Sequence, residues 1–276
     1  MNLVVQGPAL ARGDLDAISL LAKPQAVREI APHAFRFSGA MKNEGVAPLC
    51  EARRLDHAWM SEGRRFADLK LLAMDMDSTL ITIECIDELG DLAGKKAEIA
   101  AVTAQAMRGE IEYRESLRRR VKALAGLSEG SLQEVYDQRL KLTPGAEQLI
   151  STCRKHGVQL LLVSGGFNFF TERLKQRLGL DHTISNVLEV KGGKLTGELA
   201  GEIVDADAKA AKFREVLFSL RARKDQTVAI GDGANDLKMM AEAGLSVAFR
   251  AKPVVQAQAG CALNWSGLDA VVNLFE

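Results

Sequence analysis

Three short stretches carry the groups with which this chain could do chemistry. Asp75-Met76-Asp77-Ser78-Thr79 offers two carboxylates two residues apart. In extended backbone such residues share a face, so Asp75 and Asp77 can aim at one site. A carboxylate pair can divide labour, one attacking as nucleophile and the other shuttling a proton. The same spacing is common in solvated turns, so the pair alone leaves function and turn on even terms. Gly231-Asp232-Gly233-Ala234-Asn235-Asp236 joins glycines, whose backbone can approach a ligand closely, to the hard oxygen donors Asp232 and Asp236. With Asp75 they make the sparse carboxylate set that suits Mg²⁺, which keeps waters and shares phosphate oxygens. Ser164-Gly165-Gly166 presents a hydroxyl and amides before an expected helix, a weak anion site by itself. Lys209 and Lys212 lie one turn apart on one helix face, and spacing leaves open which of them serves a site.

Each of the three stretches stands where an open α/β sheet receives ligands, beyond the carboxyl end of a strand. The apolar runs 69–74, 158–163, 227–230 and 245–249 are short, apolar on both faces and flanked by Gly or Asp, as buried parallel strands are. Helices are expected from Thr143-Pro144 to a stop at Gly157, over 167–178 up to Gly179, and over 205–219. Ser131 with Glu134 has the spacing of a capping box. This alternation implies an α/β sheet covered on both faces. Residues 84–140 hold three or four helical segments and no strand, which reads as a helical cap inserted after the first core strand. Residues 188–196 read as a small hairpin turning at Gly192-Gly193. Residues 1–66 mix a strand over 3–6 with a helix-like stretch over 46–60. They read as a small separate α+β domain with a boundary near 63–66, and residues 67–276 form the main unit.

One cap helix is informative. Tyr113, Leu117, Arg120 and Leu124 fall at i, i+4, i+7 and i+11, a single stripe, whereas Arg118 and Arg119 point to solvent. Arg120 is therefore a cation on an apolar face, where an unpaired charge is costly. Either an internal salt bridge or snorkelling accounts for it, or its guanidinium grips a substrate carboxylate through two parallel hydrogen bonds. Glu84 reads in isolation as an acidic residue favoured at a helix start.

Composition narrows the classes. The 276 residues suit about two domains. A 47% hydrophobic content excludes a mainly disordered chain, and 36 basic against 36 acidic residues removes the field that drives non-specific nucleic-acid binding. No apolar run nears the roughly 20 residues that span a bilayer, and the N-terminus lacks a basic region ahead of an apolar one. Cys50, Cys85, Cys153 and Cys261 are far apart, which suits reduced thiols in the cytoplasm. Neither nucleic acid nor membrane is an expected partner.

Taken in order, Asp-Met-Asp-Ser-Thr-Leu, Val-Ser-Gly-Gly-Phe, the lysine and Gly-Asp-Gly-Ala-Asn-Asp-Leu resemble the motifs of the haloacid dehalogenase-like phosphohydrolases. Within that superfamily the chain is similar to the phosphoserine phosphatases. The resemblance spans roughly residues 70–264 with the cap and leaves out the N-terminal region. It implies a Rossmannoid parallel sheet with a helical-bundle cap after the first core strand. It also implies Mg²⁺-dependent hydrolysis of O-phospho-L-serine, the last step of serine biosynthesis, through an aspartyl-phosphate. In that scheme Asp75 is the nucleophile and Asp77 the proton shuttle. Asp75, the Asp77 backbone carbonyl and Asp232 hold the metal, supported by Asp236. Ser164, Gly165, Lys209 and Asn235 surround the phosphoryl oxygens. Arg120 would take the substrate carboxylate and Glu84 its ammonium. Met107 and Tyr113 match apolar positions that close over substrate, although a core role is the default for both. Tyr113 stands where the family often has Phe.

Two other readings compete. One sends the phosphoryl group to another acceptor such as homoserine, or cleaves a different small phosphomonoester. The other is a receiver-like phosphoacceptor module, against which the cap and Asp77 argue. Related phosphatases often carry small ACT-like regulatory domains ahead of the core. The pattern in 1–66 is compatible with one, and equally with dimerisation or docking. The expected assembly is a homodimer in the cytoplasm.

Overall fold

Alternate residues of the central strands face opposite sides, and the sheet divides the core accordingly. In the computed structural model, which describes residues 1–276, Leu72, Met74, Leu160, Leu162, Val228 and Ile230 pack on one face. Leu71, Ala73, Leu161, Val163 and Ala229 pack on the other, the period of two that a strand imposes. The strands involved are β5 (Leu71–Met74), β6 (Gln159–Phe167) and β9 (Thr227–Gly231). They run parallel and in step: Met74 lies opposite Leu162 on one side and Ile230 on the other. Asp75, Ser164 and Asp232 therefore leave the sheet at one edge.

The chain enters through β1 (Asn2–Gln6), α1 (Arg12–Ala22), the hairpin β2 (Ala26–Ala31) and β3 (Ala34–Ser38), α2 (Val46–Ala52) and β4 (Asp56–Met60). After β5 come the four cap helices α3 (Cys85–Leu92), α4 (Lys96–Met107), α5 (Tyr113–Lys122) and α6 (Gly130–Glu134). Next are α7 (Ala146–Lys155), then β6, α8 (Asn168–Leu178), β7 (His182–Lys191), β8 (Lys194–Ala200) and α9 (Ala206–Ser219). After β9, α10 (Leu237–Glu242), β10 (Leu245–Phe249), α11 (Pro253–Gln256) and β11 (Cys261–Leu263) complete the regular elements. All eleven strands join one sheet in the order β2-β3-β1-β4-β11-β10-β9-β5-β6-β7-β8. From β11 to β7 it is parallel, as expected, but β8 and the N-terminal strands run antiparallel, so the sheet is mixed. The cap is connected by two linkers that lie side by side, with Ile81 bridged to Leu142 and the Thr143 N–H donating to the Leu80 carbonyl.

The N-terminal strands are apolar on both faces for different partners. Leu3, Val5 and Phe37 pack with Ile18, Val46 and Cys50 in a small core of their own, while Val4, Ala58 and Met60 join the main core. Four buried polar side chains then clasp the segment after β11. The Asp56 carboxylate accepts N–H bonds from Asn264, Trp265 and Ser266 at 2.6–3.2 Å. Gln6 donates to the Ala270 carbonyl, Arg36 to the carbonyls of Asn273 and Phe275, and Asn2 to Glu276.

Four local expectations change. The stretch 46–60 is not one helix: α2 stops at Ala52, Leu55 turns inward, and Asp56, Ala58 and Met60 alternate as β4 against β1. The Ser131–Glu134 capping box does not form, because α6 starts at Gly130, which puts Ser131 inside the helix, and the Gly130 N–H uses the Ser128 hydroxyl. Thr143-Pro144 does not begin α7, which starts after Gly145, held at φ +82° where Asp269 packs against it. The 188–196 hairpin extends to 187–200, and its first strand begins earlier still, at His182, because there β7 pairs in parallel with β6. All four cysteines are unpaired and buried, and no helix is long and apolar enough to cross a membrane.

Candidate active site

The site grows from the three strand ends. Asp75 continues β5 in extended backbone, its N–H donating to the Ile230 carbonyl. The chain then makes one wide turn, Met76–Leu80, with Ser78 in the left-handed region at φ +56°. That turn carries Asp77 beside Ser164 and the start of α3. The Cys85 N–H donates to Asp77 Oδ1 at 2.8 Å, and Ser164 Oγ lies 3.4 Å from Asp77 Oδ2. Ser78 Oγ donates to Glu84 at 2.7 Å. Ser164 itself is fully buried and accepts from the Gly166 N–H. A Cβ on Gly165 would collide with the Tyr113 hydroxyl and one on Gly166 would come 2.7 Å from Asp77 Oδ2, so a side chain at either position would displace a side chain of the site.

Helix α9 delivers the lysine. Asp205 caps it by accepting from the N–H groups of Asp207 and Ala208, which sets Lys209 one turn in and pointing inward. Lys209 is fully buried, and its ammonium donates to Asp75 Oδ1 at 2.5 Å and to Asp236 Oδ1 at 2.7 Å. Lys212, the alternative, pairs with Glu215 on the surface. Asp236 also accepts the Gly233 N–H. Asn235 is half-buried in the same turn, and its side chain makes no hydrogen bond to the protein.

The charges do not balance. Carboxylate oxygens of Asp75, Asp232 and Asp236 all lie within 4.8 Å of one another, and Lys209 is the single buried cation among them. Burial and then repulsion from neighbouring acids push Asp232 up to about 7, and Asp75 well above its usual range despite the pull of Lys209. Asp77 is pushed up to about 7, by burial first and by Glu84 second. Burial alone would lower Lys209, but Asp236 and Asp75 outweigh it, so the amine stays firmly protonated. Hard oxygen donors carrying an excess of negative charge fit a divalent cation.

The cap closes one side. Arg120 is half-buried, with only a long 3.4 Å bond from its Nε to the Ser116 carbonyl and no carboxylate within 4.0 Å. The salt-bridge explanation for its place on the apolar stripe therefore falls away, and its charge acts on Glu84, Asp87 and Tyr113. Glu84 is exposed as a residue, yet neighbouring protein crowds its carboxylate, and this desolvation raises its pKa. Leu117 and Leu124 are buried as the stripe requires, and Arg118 and Arg119 are exposed. Met107 is 66% exposed at the end of α4, which leaves it on the cap surface.

Sequence reasoning passed over four participants. Thr79, fully buried, reaches Asp232 at 3.4 Å, and Ser78 holds Glu84. Asn186 ties two loops together by donating to the Gly165 carbonyl and accepting the Val204 N–H. Nothing in the mixed polar and apolar sequence of β7 marks it out. Lys252 donates its backbone N–H to the Asp232 carbonyl, and nothing in its spacing marks it.

Comparison with known proteins agrees with this architecture. Residues 72–241 match the family model of haloacid dehalogenase-like hydrolases. The chain belongs to that family. A phosphoserine phosphatase from Polaromonas sp. is 53% identical over 215 residues, 76% of this chain and 91% of that protein. The crystal structure of a probable phosphoserine phosphatase from Vibrio cholerae superposes over 99% of this chain and 86% of its own with a TM-score of 0.87 at 36% identity. A substrate-bound phosphoserine phosphatase complex superposes over 75% of this chain and 99% of its own with a TM-score of 0.71, also at 36% identity.

Proposed function

We propose that this chain is a phosphoric monoester hydrolase that converts O-phospho-L-serine to L-serine and phosphate. One combination carries the reading: Arg120, a guanidinium without a carboxylate partner whose charge is felt at Glu84, and Glu84 itself, held by Ser78 in the turn that also carries Asp77, alongside the buried Asp75–Lys209–Asp236 cluster. A phosphorylated amino acid presents the complementary charges, a carboxylate for Arg120, an ammonium for Glu84 and a phosphate for the cluster.

In this mechanism an Asp75 carboxylate oxygen attacks phosphorus, and the P–O bond to serine breaks with its electron pair passing to the serine oxygen. Asp77, raised to about 7 and therefore able to hold a proton, protonates that oxygen. Water then attacks the phosphoryl group on Asp75, Asp77 takes its proton, and the bond to Asp75 breaks to release phosphate. Lys209 is held in place to offset the charge on Asp75 throughout. At ~4 Å and an effective dielectric of ~20, each like-charge contact between carboxylate and phosphate costs about 4 kcal/mol, so uncompensated approach would be slow. Asp75, the Asp77 backbone carbonyl and Asp232 would hold Mg²⁺, with Asp236 in support, and the ion would supply charge neutralisation at the phosphoryl oxygens. Ser164 Oγ, the Gly165 N–H, Lys209 and Asn235 are the donors for those oxygens. Tyr113 forms part of the wall above Gly165, and Met107 would complete the apolar cover when the cap closes.

Residues 1–66 we treat as an N-terminal unit and 67–276 as the phosphatase unit, with the cap over about 84–140. The uncovered edge strand β2, with Val27 and nearby Leu20 exposed, is the surface a homodimer would use. Four free, buried thiols support a reducing, cytoplasmic setting. Phosphate release from a panel of phosphorylated amino acids, with and without Mg²⁺, tests the assignment. Phosphoserine should be the preferred substrate and chelation should abolish turnover. Equal rates across esters lacking a carboxylate would refute it.

A further inference from the structure

Lys252 is pinned to the acidic loop yet free at its tip. Its backbone N–H donates to the Asp232 carbonyl at 3.1 Å, and Pro253 follows it at the start of α11. Its side chain is exposed, and its ammonium makes no hydrogen bond or ion pair. Most other cations here are committed: Lys209 is locked between two aspartates, Arg114 pairs with Asp205 and Lys238 with Asp207. The backbone bond to Asp232 sets Lys252 beside the acidic loop, and its charge is felt at both Asp232 and Glu84. An anionic phosphate ester approaching Asp75 meets the excess negative charge of Asp75, Asp232 and Asp236, which repels it.

We propose that Lys252 is a substrate-capture residue, its exposed and unpartnered ammonium beside the Asp232 loop drawing the phosphate dianion past the acidic cluster toward Asp75. The proposal deepens the phosphatase reading and rests on it. A free rim charge of this kind acts on encounter and on salt dependence more than on the chemical step.

The experiment compares wild type, Lys252→Gln, Lys252→Glu and Lys252→Arg with two substrates, O-phospho-L-serine and para-nitrophenyl phosphate, across a range of ionic strength. One charge removed from the approach path raises KM about five-fold, while kcat stays within about two-fold. Lys252→Glu raises KM further, Lys252→Arg restores it, and the fall of kcat/KM with salt is shallower in the Gln variant. The effect holds for both substrates, because both carry the dianion. Unchanged KM and salt slope in Lys252→Gln overturn the proposal. So does a loss confined to kcat that Lys252→Arg does not restore, which would make the residue structural. Should wild type ignore phosphoserine yet show the Lys252 effect with para-nitrophenyl phosphate, the substrate assignment falls and the capture role stands.

Discussion

The Lys209 ammonium sits 2.5 Å from Asp75 Oδ1 with no solvent exposure, although lysines are mostly solvated. A buried amine between two carboxylates is stable only while all three are present. Lys209→Ala leaves Asp75 and Asp236 facing each other unpaired, and should destabilise the fold by about 3–5 kcal/mol as well as abolish turnover. Chemical denaturation checks this, and a divalent cation should recover part of the loss.

Arg120→Leu separates substrate recognition from chemistry. The variant keeps the apolar stripe and removes the unpaired guanidinium. Turnover of phosphoserine should drop by about 100-fold in kcat/KM, the scale of losing a desolvated charge-assisted contact. An ester without a carboxylate should lose far less. Equal losses on both would assign Arg120 to structure.

Removing the metal makes stability depend on pH. Without a cation, Asp77 and Asp232 are each raised to about 7. A raised acid binds its proton more tightly folded than unfolded, so this stabilisation is full below the unfolded value of about 4 and is lost as pH rises through about 7. Tm in chelator should therefore fall between about pH 4 and about pH 7. Adding Mg²⁺ favours the ionised forms and flattens the fall. A chelated protein whose Tm rises over that window contradicts the charge imbalance.

Asp56→Ala tests the clasp between the N-terminal strands and the segment after β11. Three backbone N–H groups lose their acceptor, which should cost about 2–4 kcal/mol. Folded molecules should keep their kcat, since Asp56 lies outside the site.

Much of the site was legible because chemistry concentrates at strand ends. The runs ending at Asp75, Ser164 and Gly231 are apolar on both faces, as strands buried on both sides are, and their ends fix where the acids converge. Arg120 was legible from helical period. The N-terminal region was not, because Leu3, Val4 and Val5 serve two cores at once and β4 begins with the buried carboxylate of Asp56. Local turn chemistry also misled: Ser131 fits a capping box, but Ser128 reaches Gly130 first. Thr79, Asn186 and Lys252 act through partners more than 15 residues away, which no local spacing reveals.

The central claim is that Asp75 carries the phosphoryl group taken from phosphoserine. Rapid acid quenching with labelled phosphoserine, followed by peptide mapping, tests it most directly. Label on the peptide containing Asp75, absent from Asp75→Asn, is the expected result. Label that persists in Asp75→Asn, or maps to another residue, would contradict the account.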